Sequence, residues 1–226
     1  MIFYRLSDGE KFPNANWAEE MGFKNTIFCP VNKGHQRAGE RMNQLIIALP
    51  SSRIGDFVWT WYSECIITDR VVNLFKEAGF TGYVLKPVIV AKIYKYYKEK
   101  DIGMENGKPV GITRIIRDRK PKPISPLWEL VVTGKGGDAH PKSCIRLKYE
   151  CAACGAKEYT DFKKGLFIDE AQWDGSDFFT VWPLPKFIIV TERVKNFILE
   201  YKLSNCKLTP TEDLIGDGEK GTLAPC

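Results

Sequence analysis

The sequence is poor in the residues on which most catalysts depend. Two histidines serve 226 residues, so an imidazole-based acid/base centre has few places to sit. No G-x-S-x-G, P-loop, dinucleotide-binding glycine fingerprint or H-E-x-x-H occurs, which removes the commonest hydrolase, nucleotide-binding and zinc-protease patterns. No uncharged apolar run approaches the roughly 18 residues of a spanning helix, and no integral membrane segment is expected. The opening MIFYRLSDGEK lacks an apolar leader core. Seven cysteines, an odd count, argue against a secreted disulfide scaffold. The expectation is a cytoplasmic protein with reduced thiols. Charge of one sign is scarce as well: 33 Lys and Arg face 28 Asp and Glu, a net +5, too small a surplus to demand nucleic acid.

What the chain does contain is a segment written twice. Ile66 to Pro87 reads IITDRVVNLFKEAGFTGYVLKP, and Ile189 to Pro210 reads IVTERVKNFILEYKLSNCKLTP. At the common offset of 123, eight of the 22 pairs are identical, too many for two unrelated helices; Trp59/Trp182 extends the match upstream. Thr68 and Thr191 stand where N-cap hydroxyls belong, each followed by an acidic residue that favours the positive end of the helix dipole. Val71, Leu74, Phe75 and Ala78 in one copy, and Val194, Phe197, Ile198 and Tyr201 in the other, form apolar stripes at helical spacing. Gly79 and Gly82 end the first helix. A short strand follows each helix and is closed by Pro87 or Pro210.

The expected fold is therefore α+β, with two similar strand-helix-strand halves packed as one body and a zinc-knuckle-like β-hairpin inserted between them. The N-terminal half is read as 1–123, with the first unit at 56–88. The C-terminal half is 124–214, with the knuckle at 145–162 and the second unit at 177–211, and 215–226 is a flexible tail that includes Cys226. A chain of this size buries roughly 70% of its unfolded surface, so a metal would reinforce it locally rather than make folding possible.

The knuckle is Cys151-Ala152-Ala153-Cys154-Gly155, between the alternating segment Ile145 to Tyr149 and the strand Lys157 to Phe162. Two strands joined by C-x2-C-G aim both thiolates at one point, and the glycine permits the tight bend. A thioredoxin-type pair would instead open a helix. Two thiolates are half of a tetrahedral zinc site. Cys29 with His35, in the Pro and Gly turn CPVNKGH, is the favoured completion; His140 with Cys144 competes. Four protein ligands would make the zinc structural, without a bound nucleophilic water. Cys65 and Cys206 fall in apolar repeat positions and read as core thiols.

Other clusters carry less. Asp169, Glu170, Asp174 and Asp177 surround Trp173 and read as a hydrogen-bonded turn more readily than as an acid/base pair. Arg114, Arg117, Arg119, Lys120 and Lys122 form the most basic stretch and read as solvated loop; Tyr94, Tyr96 and Tyr97 read as packing residues. Gly134 to Gly137 reads as a flexible loop.

CAACG at Cys151, the degenerate Cys29-Pro30-Val31-Asn32-Lys33-Gly34, and the turn WDGSDFF leading into IVTERVKNF together resemble the double-CXXCG motif proteins, a family of bacterial immunity proteins of contact-dependent or polymorphic toxin systems. The resemblance spans about Phe28 to Leu214. Cys151 and Cys154 match the second motif and Cys29 the first cysteine of the first motif; Asn32 stands where its other cysteine would be, with His35 as the replacement ligand. The resemblance implies a non-catalytic cytoplasmic protein that neutralises a cognate toxin by steric occlusion, with no membrane partner and nucleic acid not expected. The rival readings are a zinc-ribbon-like nucleic-acid-binding protein and, further off, a hydrolase.

Overall fold

Alternation in FYRLSD makes a strand whose Phe3, Tyr4 and Leu6 are buried, and this first strand ends up far from its sequence neighbours. The computed structural model describes residues 1–18, 22–37, 39–98, 104–105, 108–109, 113–120, 122–160, 162 and 164–216. In chain order the strands are β1 (Phe3–Asp8), β2 (Asn16–Trp17), β3 (Phe23–Lys24), β4 (Glu40–Arg41), β5 (Leu45–Leu49), β6 (Phe57–Trp59) and β7 (Cys65–Thr68). Helix α1 (Asp69–Glu77) comes next, then β8 (Tyr83–Lys98), β9 (Met104–Glu105), β10 (Lys108–Pro109), β11 (Thr113–Arg117), β12 (Leu127–Val132) and β13 (Gly134–Asp138). The chain closes with β14 (Leu147–Glu150), β15 (Lys157–Tyr159), β16 (Phe178–Trp182), β17 (Leu184–Thr191), α2 (Glu192–Glu200) and β18 (Cys206–Pro210). The fold is α+β and rich in strands, and no helix among the described residues is long and apolar enough to cross a membrane.

Two large sheets are formed. One has the order β13-β16-β17-β1-β18, the other β2-β5-β8-β12-β7-β6, with β11 also paired to β8. β1 lies between β17 and β18, with Leu6 opposite Leu208, and β12 lies between β7 and β8, with Leu130 opposite Leu85. Both helices pack into a common core: Val71, Val72 and Phe75 of α1 meet Val194 and Ile198 of α2 and Tyr4, Leu6, Leu130, Phe178 and Val190 of the sheets. The ring of Phe75 sits 5.3 to 6.4 Å from those of Phe57, Phe80, Tyr83, Phe178 and Phe197, an aromatic centre that accounts for much of the chain's apolar burial.

Polar contacts at the two helices are reciprocal. Asp56, before β6, accepts from the Ser204 backbone N–H (2.8 Å) and hydroxyl (2.8 Å) beyond α2, and Arg70 bridges Asp56 to the Tyr201 carbonyl. Asp177, before β16, accepts from the Thr81 N–H (3.1 Å) and hydroxyl (3.3 Å) beyond α1, and Arg193 bridges Asp177 to the Ala78 carbonyl. Each aspartate thus ties the start of its own helix to the end of the other.

Several local expectations are corrected. Thr68 and Thr191 occupy the N-cap positions, but neither hydroxyl caps its helix. Thr191 Oγ1 donates to Asp177 Oδ1 at 3.1 Å, whereas Thr68 Oγ1 is buried without a partner among the described residues. Thr191→Val should therefore cost about 1–2 kcal/mol and Thr68→Val close to nothing, as read from paired urea denaturation curves.

Trp59 and Trp182 are not equivalent. Phe57 pairs with Ile67 and Phe178 with Val190, so the second hairpin is two residues longer and the offset upstream of it is 121. Pro87 does not end its strand: β8 runs through it, pairing with β12 before it and with β5 from Val88 onward. Proline has no N–H to lose, and its carbonyl accepts from Gln44 Nε2 at 2.8 Å, so the strand changes partners there. Gly134 to Gly137 is strand rather than loop, because only glycine lets β13 lie so close to β16: a Cβ on Gly134 would meet the Phe178 carbonyl at 2.2 Å. The tail from 217, with Cys226, lies outside the described residues.

Candidate metal centre

Two hairpin tips meet at the candidate site. The first is carried by the pairing of β3 with β4 and by the Ile27/Arg37 bridge, with Cys29 near the start of the loop. Asn32 then caps a single 3-10 turn, Lys33–His35, its Oδ1 accepting from the Gly34 N–H at 2.8 Å, and this turn presents His35. The second tip joins β14 to β15. The N–H of Gly155 donates to the Cys151 carbonyl at 2.7 Å and that of Cys151 to the Ala156 carbonyl at 2.8 Å. Gly155 makes this bend at φ +65°, a conformation that suits glycine.

Arg37 fastens one tip to the other, donating to the carbonyls of Cys154 (2.6 Å) and Gly155 (3.3 Å). Arg41 pairs with the buried Glu129 of β12 and fixes the first hairpin to the large sheet. The sequence spacing of the tips is regular: 151 − 29 = 122 and 154 − 32 = 122.

The donor atoms of Cys29, His35, Cys151 and Cys154 all lie within 4.8 Å of one another. Cys29 Sγ is 3.8 Å from Cys151 Sγ, and Cys154 Sγ is 3.9 Å from His35 Nδ1. Zinc–sulfur bonds of about 2.3 Å and zinc–nitrogen bonds of about 2.0 Å in a tetrahedron require edges of about 3.8 Å between sulfurs and about 3.5 Å between sulfur and nitrogen. The four residues are close enough to hold a metal ion, and the set is compatible with zinc. The competing pair stands elsewhere: His140 Nδ1 accepts from the Lys142 N–H, and Cys144 is disulfide-bonded, which departs from the expectation of seven reduced thiols. Cys65 is buried in the shared core, and Cys206 packs against it, as their apolar positions foretold.

Electrostatics at the tips favours thiolate on one cysteine above the others. Burial opposes ionisation of Cys151, but the Ala153 N–H, the Tyr149 hydroxyl, the Cys154 N–H and His35 outweigh it and hold the thiol at about 6. Cys29 is also lowered: burial opposes ionisation, and the N–H groups of Val31 and Asn32 overcome it. Cys154 is raised by burial and by its thiol neighbours, and His35 is raised by its contacts with Cys29 and Cys151. Both shifts favour the protonated forms, and metal binding works against them, since a ligating thiol must lose its proton and a ligating imidazole must be neutral. Zinc binding should expel protons and weaken steadily as the pH falls, which titration in weakly buffered solution measures.

Asn32 and Tyr149 were not assigned these roles from sequence. Asn32 Nδ2 lies 3.1 Å from His35 Nε2, which suits the tautomer keeping the ring proton on Nδ1. A metal at Nδ1 requires the other tautomer and an acceptor at Nε2. Asn32→Asp supplies that acceptor while keeping an oxygen for Gly34, and should tighten zinc binding by about tenfold, as a competition titration against a chromophoric chelator would read.

Of the acidic cluster, Asp174 serves a turn, bonding the Lys135 N–H and the Ser176 N–H and hydroxyl. Asp177 belongs to the helix contacts described above. Asp169 accepts from Gln172 and the Ala171 N–H, and Glu170 pairs with the amino terminus. These carboxylates are engaged in structure. The chain matches no protein-family model and no curated protein.

Proposed function

We propose that the protein is a non-catalytic immunity protein that binds a cognate bacterial toxin and occludes it, with structural zinc held by Cys29, His35, Cys151 and Cys154. The observation that carries the reading is the closed donor set at the meeting of two hairpins, surrounded by exposed apolar side chains: Phe28 is 69% exposed, Val31 71%, Tyr149 48% and Trp182 48%. Four protein donors leave no open position for a reacting water. Rigid, solvent-facing aromatic side chains are what a protein interface uses as anchors. In this reading the chain is a cytoplasmic duplication of one building block, 1–123 and 124–214, in which β1 and β12 have exchanged places, and each copy contributes one hairpin to the metal. The duplicated body acts as a rigid support, and no turnover is involved. Co-expression with the protein toxin encoded beside its gene tests it: growth should be restored by this chain, and unrelieved killing at matched expression would end the proposal.

One observation favours a second reading. In the pairing of β11 with β8, Arg117 stands opposite Tyr94 and Arg114 opposite Tyr97, a register that interleaves basic and aromatic positions. A nucleic-acid-binding module built on that ribbon would bind DNA or RNA with a steep, linear loss of log affinity against log salt.

A further inference from the structure

A cavity of about 420 Å³ opens beside the thiols where the two hairpin tips meet, lined among others by Tyr149, Trp182, Gly34, Gly155, Arg37 and Lys157. Its two aromatic side chains are already held in place. Trp182 Nε1 donates to the Tyr159 hydroxyl at 3.0 Å, and the two rings meet edge-on at 5.8 Å. The Tyr149 hydroxyl contacts Cys151, and its ring lies 5.9 Å from that of His35. Both rings nevertheless remain about half exposed. Gly155 keeps the cavity open, since nothing lies within 4 Å of where a Cβ would stand.

Of the charged side chains that line the cavity, Lys157 pairs with Glu150 at 3.8 Å and Glu158 with Lys148 at 3.7 Å, so the charge balance beside it is set by the first tip. The first hairpin, 22–43, carries Lys24, Lys33, Arg37 and Arg41 against Glu40 alone. Lys24 and Arg41 have carboxylate partners; Lys33 and Arg37 have none among the described residues. An apolar slot with fixed aromatic walls and unneutralised cations beside it fits one kind of occupant. We propose that this cavity is the docking point for the protein partner, taking one large aromatic side chain flanked by carboxylates. The inference rests on the toxin-binding reading and gives it a place on the surface. Aromatic side chains filling preformed pockets dominate interface energies, and complementary charge selects the partner and speeds encounter.

The test uses the full chain loaded with zinc and labelled with nitrogen-15. Three probes are titrated: acetyl-Asp-Trp-Asp-amide, acetyl-Lys-Trp-Lys-amide and hexathymidylate. The acidic peptide should shift the Trp182 indole and the Gly34 and Gly155 amides, and bind at least about fivefold more tightly than the lysine peptide. Trp182→Ala should weaken it by at least about fivefold. Lys157→Glu, at an exposed site, should weaken it as well and serves should the tryptophan variant fail to fold. No shift of these resonances, equal binding of the two peptides, or preferential binding of hexathymidylate would overturn the proposal. Growth rescue separates the two levels. If the parent chain rescues and Trp182→Ala rescues equally, the docking point is wrong and the immunity reading stands. If the parent chain does not rescue, the immunity reading fails, and the peptide titration still decides what the cavity binds.

Discussion

Cys151→Ser should reduce the zinc content of untagged protein from one equivalent to less than a tenth. The substitution removes the thiol whose surroundings most favour the anionic form, and with it the partner 3.8 Å from Cys29. Loss of groups that merely orient ligands already costs about 10- to 100-fold in affinity, so loss of a ligand should exceed 100-fold. The damage should stay local, because none of the four ligands belongs to the aromatic core around Phe75. Backbone amides at 28–36 and 151–156 should lose exchange protection, while those of β7, α1, β17 and α2 keep theirs. Elemental analysis and hydrogen exchange check both halves of the statement. Cys206→Ser, remote from the cluster, should retain its zinc. A Cys151→Ser protein that still carried half an equivalent would show that the metal sits elsewhere.

Asp177→Ala is expected to be the costliest single truncation outside the apolar core. Its carboxylate, in a residue only 7% exposed, receives the Thr81 N–H and hydroxyl, the Thr191 hydroxyl and Arg193. Removing it strands the Thr81 and Thr191 donors, and although Arg193 is largely in solvent and adds little, loss of these hydrogen bonds to a buried carboxylate should cost about 3–4 kcal/mol. Asp56→Ala should cost less, about 2–3 kcal/mol, since the Thr68 hydroxyl makes no bond to its carboxylate and that carboxylate is the more exposed of the two. Urea midpoints should fall in that order with unchanged slopes. A loss below 1 kcal/mol for Asp177→Ala would mean that these contacts do not hold the helices together.

Local chemistry makes the helices and the CAACG turn legible in the sequence. The stripes at Val71 to Ala78 and Val194 to Tyr201 fall on the two helices, and CAACG forms the turn between two short strands. Cys29 and His35 are legible because a Pro and Gly turn can present both side chains, and the structure brings them to Cys151 and Cys154. The features that stay hidden depend on contacts between distant segments. Nothing local in FYRLSD says that it pairs with β17 and β18 rather than with the nearest strands of the amino-terminal half. The aspartate clamps are equally invisible, because Asp56 and Ser204 are 148 positions apart. The glycines of β13 read as loop because the signal for their strand is a neighbouring carbonyl, not their own side chains.

The placement of the first strand sets an order on how the molecule can be made. Phe3 lies opposite Thr191, so the first strand leaves the ribosome 188 residues before the partner that covers it. At about 5–20 residues per second that wait is roughly 10–40 s. During it the apolar side chains on both faces of the strand, Phe3 on one and Tyr4 and Leu6 on the other, have no permanent cover, while β7, α1, β8 and β12 can already assemble. This strand is therefore a segment in need of a chaperone, and slowing translation should lower the yield of soluble protein unless it is shielded.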